Sequence, residues 1–505
     1  MTETESSSAT CESVSADSTS SLAAQQASGT CIVGAGLAGI ATAAALDRIA
    51  SVKHMIIVDQ LDAPEWTCAT SGAAVQLGPN GLRALLAIEN GKNNNNNNVD
   101  ESDKKNQREE QSILKTILTK GTIIQKYIFI TNDPSNPCMT IPDTTERDTG
   151  LPQVLIRWAV LRDALLDLAG FRPGSNNRNT RIALKNGIRD IIGYQPMFKQ
   201  GNDQSKRVQI VRSSCTDNEP SEFPSAPLII GADGLHTTFG ALVRRKQKEH
   251  DRDGSNFLAR TNGKEVLPSA DSEDWKARNM GIVDGGRTNV KAVVSCDLWK
   301  EIGAKYDIVK NGGPGTTFSY FTPNGGVACF AGPAGDGYTY WSISILDEDK
   351  ESKINCISNA KSKAEVKFKL LEKLKGSEAA DRCNFVIELI EKTDSSVFYV
   401  ARSQEREIGG SLVSDDGLVV LVGDAAHAMS PAYGQGANFA MEDAATLAVS
   451  IRDGKTLLDS LHAFSSARRE RCIEMQRRSA ERTAKASRGE QAEDISKWIF
   501  QWKIS

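Results

Sequence analysis

The sequence predicts an α/β protein: a Rossmann-like layer, an interleaved second domain built on a mostly antiparallel sheet, and C-terminal helices. Three observations carry this expectation. The apolar run Cys31–Val33 passes through glycines into an Ala-rich segment and on to a second apolar run, Met55–Val58, which is a strand, helix, strand unit. The runs Val293–Cys296, Thr316–Phe321, Val327–Phe330 and Tyr338–Ile345 follow one another as strands of an antiparallel sheet. Finally, Leu418–Val422 and the helical stretch Gly436–Ile451 return the chain to the first layer.

Bulk properties bound what such a protein does. The 505 residues exceed one ordinary domain, and 39% hydrophobic content supplies a substantial core, so two packed domains are expected. A net charge of -4 from 60 basic and 64 acidic residues, mixed along the chain, gives no field for nucleic acid or an anionic membrane. A small molecule is the expected partner. Ten cysteines stand singly from Cys11 to Cys472 without a C-x-x-C pair, and the five histidines are dispersed, so reduced thiols in a cytoplasmic setting and no metal are expected. Glu3, Glu5, Glu12 and Asp17 precede the first basic residue, Arg48, unlike a secretory or transit leader. No apolar run approaches the roughly 20 residues of a membrane span.

Along the chain, residues 1–28, rich in Ser, Thr and Ala, read as a disordered tail. The dinucleotide layer is expected in three segments, 29–90, 151–244 and 401–452. A low-complexity loop, 91–112, containing Asn93–Asn98, and a charged loop, 245–279, interrupt it. Residues 113–150 and 280–400 are assigned to the second domain and 453–505 to C-terminal helices. Helices are expected at Asn80–Ile88 and Ile156–Leu168, the latter from the spacing of Ile156, Val160, Leu161, Leu165 and Leu168, and strands at Val208–Val211 and Leu228–Ile230.

Three glycine-containing motifs carry the chemistry. Gly34-Ala35-Gly36-Leu37-Ala38-Gly39 follows a strand and opens a helix, which suits a tight turn, close approach of a pyrophosphate and close helix packing, with the helix N-terminus facing the phosphate charge. Asp59, 25 residues after Gly34, ends the second strand, where a carboxylate can accept ribose hydroxyls. This motif alone does not choose between FAD and NAD. Gly231-Ala232-Asp233-Gly234 follows the strand Leu228–Ile230; by itself it is also an ordinary turn. The third and most specific motif is Gly423-Asp424-Ala425-Ala426-His427, then Pro431, then Gly434-Gln435-Gly436-Ala437-Asn438. Asp424 is placed to bond ribityl hydroxyls, and the glycines let backbone amides approach a flavin's pyrimidine edge. The following helix would stabilise the reduced ring's negative charge by about 0.5 to 2 kcal/mol.

In this order and spacing, over roughly residues 30–479, the three motifs resemble those of class A FAD-dependent monooxygenases: the para-hydroxybenzoate and salicylate hydroxylases, kynurenine monooxygenase and zeaxanthin epoxidase. Gln76-Leu77-Gly78-Pro79-Asn80-Gly81-Leu82-Arg83 is similar to the segment beside the flavin in the salicylate type, and Gly423 to Asp443 is similar to its counterpart in kynurenine monooxygenase. The resemblance implies bound FAD and NAD(P)H as a transient co-substrate. It also implies O2 activation, with one oxygen atom delivered from a flavin hydroperoxide to a small organic, aromatic substrate by hydroxylation or epoxidation. The flavin contacts it implies are Gly34, Gly36, Gly39, Asp59, Arg157, Asp233, Gly234, Gly423, Asp424, Gln435, Ala437 and Asn438, with Pro431, Gly434 and Gly436 beside the reactive ring as catalytic positions. The sequence departs from the family at Thr237, where Ser is usual, and at Gly240, where Arg is usual; Arg244 and Arg245 stand nearby. Two rivals remain: a flavin-dependent reductase of the geranylgeranyl-reductase type, which would not consume oxygen, and a non-catalytic flavoprotein redox sensor.

Individual residues are read blandly. His427 is expected to brace the flavin loop through hydrogen bonds. Of Phe318, Phe330, Tyr340 and Trp341, strand alternation turns some toward the flavin and others away. The run Arg468, Arg469, Arg471, Arg477 and Arg478, interleaved with Glu470, Glu474 and Glu481, reads as a solvated helix face, not a nucleic-acid patch. Trp498, Ile499, Phe500 and Trp502 read as core packing before a membrane contact.

Overall fold

The computed structural model describes residues 20–61, 73–91, 112–171, 182–185, 191–197, 207–212, 225–237, 239, 243, 265–266, 281–310, 312–323, 325–347, 356–486, 490 and 492–504. Five parallel strands form the first sheet, in the order Val419–Leu421, Ile229–Gly231, Cys31–Val33, Met55–Val58, Ile182–Lys185. Val419–Leu421, Ile229–Gly231 and Cys31–Val33 are buried at every position, as expected of short continuous apolar runs covered on both faces. Val33 pairs with Gly231 and Gly231 with Leu421, so the chain leaves these three strands at one carboxyl edge. Helices Leu37–Arg48 and Gly436–Asp453 pack against each other through fully buried alanines, among them Ala44, Ala45, Ala444 and Ala445, whose small side chains let the backbones come close.

The second sheet has seven strands in the order Tyr399–Arg406, Ile282–Ser295, Tyr338–Leu346, Val327–Gly335, Thr316–Phe321, Lys126–Ile130, Cys138–Pro142. Its pairings are antiparallel except for Thr316–Phe321 with Lys126–Ile130. Strand alternation splits its aromatics. Phe318, Tyr320 and Trp341 enter a core with Phe385, Leu370 and Leu389 of the helices Lys363–Lys375 and Asn384–Lys392. Phe330, Tyr338, Tyr340 and Tyr127 stand on the opposite face, against Leu155, Ala73 and Ala74. A small sheet, Ala74–Leu77, Val154–Arg157 and Thr122–Ile123, lies between these two cores.

Several expectations are corrected. The stretch expected to be disordered to residue 28 contains a helix, Leu22–Ala27, capped by Ser21, whose Ala23, Ala24 and Ala27 are buried, because its small side chains suit a close helix contact. Residues 1–19 lie outside the described ones. Ile156 belongs to the strand Val154–Arg157, and the helix starts at Trp158; both periods place Ile156 inward, so apolar spacing did not separate them. The boundary expected at residue 400 falls inside the strand Tyr399–Arg406, which is an edge of the second sheet. Residues 113–120 pack on the first core, not the second. Within the charged loop 245–279, Glu265–Val266 pairs with Tyr194 and Gly193; its other residues, like Asn93–Asn98, Gly240, Arg244 and Arg245, lie outside the described ones.

Trp341 anchors the second core. It is fully buried, its indole N–H donates to Thr393 Oγ1 at 3.2 Å, and its ring meets Phe398 edge-on at 5.2 Å. Trp341→Ala is expected to cost about 3 to 5 kcal/mol, read as a lower denaturation midpoint in urea.

Candidate cofactor site

All three motifs open at the shared carboxyl edge. Gly34, at φ +105°, could not carry a side chain: a Cβ there would lie 2.3 Å from the Ala232 carbonyl oxygen, which is how the first two motifs come into contact. A Cβ on Gly39 would lie 1.8 Å from the Gly34 carbonyl oxygen, so the helix can pack this tightly only on glycine. Gly36, by contrast, faces nothing within 4 Å, so the N-terminus of helix Leu37–Arg48 opens onto free space. The Asp59 carboxylate accepts from the backbone N–H of Ala35 at 2.5 Å and of Leu61 at 2.8 Å, tying the second strand to the glycine loop. Arg162, buried on helix Trp158–Leu168, donates from Nε to the Ala35 carbonyl at 3.1 Å. Sequence reasoning missed it; an arginine on the inner face of an apolar helix was the signal.

The third motif closes the site. Gly423, at φ +60°, precedes the short helix Asp424–His427, so Asp424 stands at a helix start just beyond the strand. Pro431–Tyr433 forms a 3-10 turn, Gly434 is left-handed at φ +64°, and helix Gly436–Asp453 begins directly after Gln435. Pro431 is exposed, and Gly434, Gly436 and Ala437 are half-buried. A Cβ on Gly436 would lie 3.8 Å from Asp424 Oδ1, and one on Gly434 3.8 Å from Gln76 Cβ, so Gly436 faces Asp424 and Gly434 faces Gln76. The side chains of Gln435 and Asn438 turn inward. Asn438 donates to the carbonyls of Gln76 (2.9 Å) and Gly434 (3.1 Å) and accepts from Gly78 N–H at 2.9 Å, stapling the segment after residue 76 to the motif. Gln435 accepts from Asn80 at 3.0 Å.

Beneath the motif lies a buried ionic network. Asp443 accepts from Gly423 N–H (2.8 Å) and from Arg468 Nε (2.7 Å), and its Oδ2 lies 2.6 Å from His427 Nε2. Glu442 pairs with Arg468 at 2.5 Å and Arg471 at 2.8 Å and accepts from Asn80 at 2.7 Å. His427 therefore braces the loop as expected. Arg468 and Arg471 do not sit on a solvated face: Arg468 is 1% exposed, because two adjacent acids on an apolar helix demand cations. Arg477 and Arg478 do pair with Glu474 nearer the surface. Burial alone would raise the Asp443 carboxyl, but His427 and Arg468 hold it down to about 2. Burial disfavours the His427 imidazolium, yet Asp443 keeps its pKa well above the ordinary 6.5. Cys472 Sγ joins this pair, the three ligand atoms lying within 4.8 Å of one another. Arg468 stands 3.7 Å from the sulfur, so a metal ion there would meet a guanidinium.

Arg157 sits apart from that edge. Arg157 pairs with Asp336 at 2.8 Å and lies 4.0 Å over the Tyr338 ring, at the face of the second sheet. In the second motif Asp233 and Gly234 are half-buried, and Arg406, which sequence reasoning missed, donates to the Leu235 carbonyl at 2.8 Å. Burial lowers the Arg406 pKa to about 10, with Asp233 opposing. Ile499 and Phe500 are buried, and Trp498 stacks with Arg471 and Arg478, as core packing. A recess of about 340 Å³ lined by Thr446, Val449, Ser450 and Ala467 contains no residue of the three motifs.

Residues 413–478 match the FAD binding domain family model. The chain's whole fold is similar to that of Klebsiella pneumoniae HpxO complexed with FAD and uric acid, with a TM-score of 0.61 and 17% identity over 91% of this chain and 88% of that one. It is likewise similar to 2-methyl-3-hydroxypyridine-5-carboxylic acid oxygenase, with a TM-score of 0.57 and 18% identity over 91% and 92%. In sequence, 66 residues are 44% identical to kynurenine 3-monooxygenase of Xanthomonas campestris pv. campestris (strain B100), a stretch that is 13% of this chain and 14% of that relative. The fold is thus shared with HpxO and with 2-methyl-3-hydroxypyridine-5-carboxylic acid oxygenase. The protein's own residues are compatible with the cofactor: Gly36 leaves open space at a helix N-terminus, and Gly434 and Gly436 lie against Gln76 and Asp424. Among the described residues no helix is long and apolar enough to cross a membrane.

Gly39→Val is expected to abolish FAD retention, read as loss of yellow colour on purification, while the circular dichroism of the second domain's strands persists. Asp443→Asn is expected to destabilise by about 3 to 5 kcal/mol by leaving Arg468 undercompensated, checked by chemical denaturation. The pH signs are opposite for the two partners. The Asp443 contribution is present above its ordinary 3.8 and is lost as pH falls through about 2. The His427 contribution is full below 6.5 and is lost only as pH rises through its raised value. Thermal melts across pH should show both flanks, and Asp443→Asn should flatten them.

Proposed function

We propose that the protein is an FAD-dependent monooxygenase that uses NAD(P)H and O2 to hydroxylate or epoxidise a small organic, aromatic substrate. The net hydroxylation is RH + O2 + NAD(P)H + H⁺ → ROH + H2O + NAD(P)⁺. The observation that carries this reading is a juxtaposition. The face of the second sheet that bears Phe330, Tyr338 and Tyr340 packs against Ala73, Ala74 and Leu155 of the segments leading to Gln76 and Arg157, and Gln76 borders the third motif. FAD, when bound, supplies the two-electron reservoir and the reaction with oxygen.

This chain's residues do the rest. Gly34, Gly36 and Gly39 receive the pyrophosphate at a helix N-terminus, and Asp59 takes the adenosine ribose with the lone pairs its backbone bonds leave free. Asp233, Gly234 and Gly423 shape the edge, and Asp424 meets the ribityl chain. Burial raises the Asp424 pKa against the attraction of His427 and Lys291, a carboxyl suited to hydrogen bonding with hydroxyls. Pro431, Gly434 and Gly436 set the loop beside the ring, and backbone N–H groups at Gly436 and Ala437 stabilise negative charge there. Arg157 positions the Asp336 hairpin across the same space. The aromatic face binds a flat ring and excludes water. Relatives of this fold include a complex with uric acid and an oxygenase of a hydroxypyridine carboxylic acid, which supports a small ring.

The deciding measurement is the absorption spectrum with an oxygen electrode, with NADH or NADPH and a panel of phenols and aromatic acids. Flavin that bleaches faster with one compound while oxygen is consumed and an oxygenated product appears supports the reading. Substrate reduction without oxygen consumption would instead establish a reductase.

A further inference from the structure

Arg162 brings a buried positive charge to the first glycine loop. It is 2% exposed on helix Trp158–Leu168, whose other buried residues are apolar, and that helix packs on Leu37–Arg48, the helix the loop opens. The guanidinium lies 5.9 Å from the Trp158 ring, one turn earlier. Ala35 is held on both sides of its backbone: its carbonyl accepts from Arg162 Nε at 3.1 Å, and its N–H donates to Asp59 at 2.5 Å. Asp59 and Asp163 attract the guanidinium, against the burial that lowers its pKa. A carbonyl needs only a neutral donor, and burying a full charge to supply one is costly. The charge has a use if the loop must take a second anion. Asp59 stands at the same loop whose open side, at Gly36, is a helix N-terminus, so a phosphate entering there meets the carboxylate's repulsion as well as the helix's attraction.

We propose that Arg162 is a positioning residue for the cofactor's diphosphate: it holds Ala35 and offsets the charge of Asp59, so that one loop accepts a nucleoside diphosphate beside a carboxylate. The assignment rests on the reading of this edge as the FAD site and adds to it a residue from a neighbouring helix. It acts through Ala35 and Asp59. A split in affinity follows from the charges alone. Adenosine is neutral and can engage Asp59 through its ribose hydroxyls, whereas ADP adds phosphate charge at the helix N-terminus. Removing the guanidinium therefore weakens ADP far more than adenosine, while a loop that merely loses its shape releases both.

The test is calorimetric titration of the full-length protein, stripped of flavin, with ADP and with adenosine, a readout that needs no turnover. The wild type is expected to prefer ADP. Arg162→Gln, which keeps a neutral donor, should weaken ADP by about tenfold and change adenosine by no more than about twofold. Arg162→Lys should keep the preference, and Asp59→Asn added to Arg162→Gln should recover ADP binding, because the repulsion that Arg162 offsets is then gone. A wild type that binds adenosine as tightly as ADP overturns the proposal. So does a folded Arg162→Gln protein that keeps its ADP affinity or loses both ligands equally. If Arg162→Gln does not fold, Arg162→Lys decides: an intact ADP preference supports the proposal and a lost one overturns it. Flavin titration of the wild type, read by fluorescence quenching, is a separate arm: a protein that takes ADP but not FAD refutes the FAD reading and leaves the role of Arg162 standing.

Discussion

Two adjacent carboxylates inside an apolar helix impose the constraint on which the site depends. Glu442 and Asp443 are fully buried, and each uncompensated ion would cost several kcal/mol, so the helix Gly436–Asp453 can occupy its place only if cations reach it. They come from Arg468 and Arg471 on the long helix Leu457–Ala486. The same acids then fix three things: Gly423 at the start of the third motif, His427 at the end of its short helix, and Asn80 beside the segment that meets Asn438. A polar network of this kind contributes geometry more than net stability, since every member restricts the others. Because Gly434 and Gly436 lie between these fixed points, the loop they form takes its shape from charges buried beneath it.

The parallel sheet complements that network. Its register brings residues some 200 positions apart to one edge, and the contacts demanded by Gly34 and Gly39 leave little freedom in how the first two motifs meet. The second sheet then separates two jobs by strand period alone. One face is a dry core around Trp341, and the other carries Phe330, Tyr338 and Tyr340 against the small sheet.

Much of this was legible in the sequence, and the reasons are local. Cys31–Val33 and Met55–Val58 are strands with those bounds because short apolar runs beside glycine turns have few alternatives. Thr316–Phe321 was equally clear. Ile156 was not, since a strand running straight into a helix keeps its apolar residues inward in either period. The helix Leu22–Ala27 was hidden by composition: alanines that look featureless are what a tight helix contact selects. At the site, the glycines were readable because their geometry excludes other residues. Asn438 and Gln435 were read as cofactor ligands, but their side chains hold protein backbone and Asn80, a distinction that requires knowing what lies across the gap. The arginines of the last long helix looked solvated because alternating Glu and Arg describes a surface. Only the partner helix, with its acids in apolar surroundings, shows which arginines turn inward.

Hydrogen bonds from Arg83 to the Phe500 and Thr149 carbonyls and from Arg471 to the Ile499 carbonyl tie residues near 80, 150, 440, 470 and 500 into one cluster. This makes the order of synthesis consequential. A nascent chain displaying everything up to residue 453 has all three glycine motifs, yet its Glu442 and Asp443 still lack guanidinium partners. The loop of the third motif can therefore take its final shape only once residues 468–471 are available to pair, so its order is decided by a segment more than 400 residues from the first glycine loop.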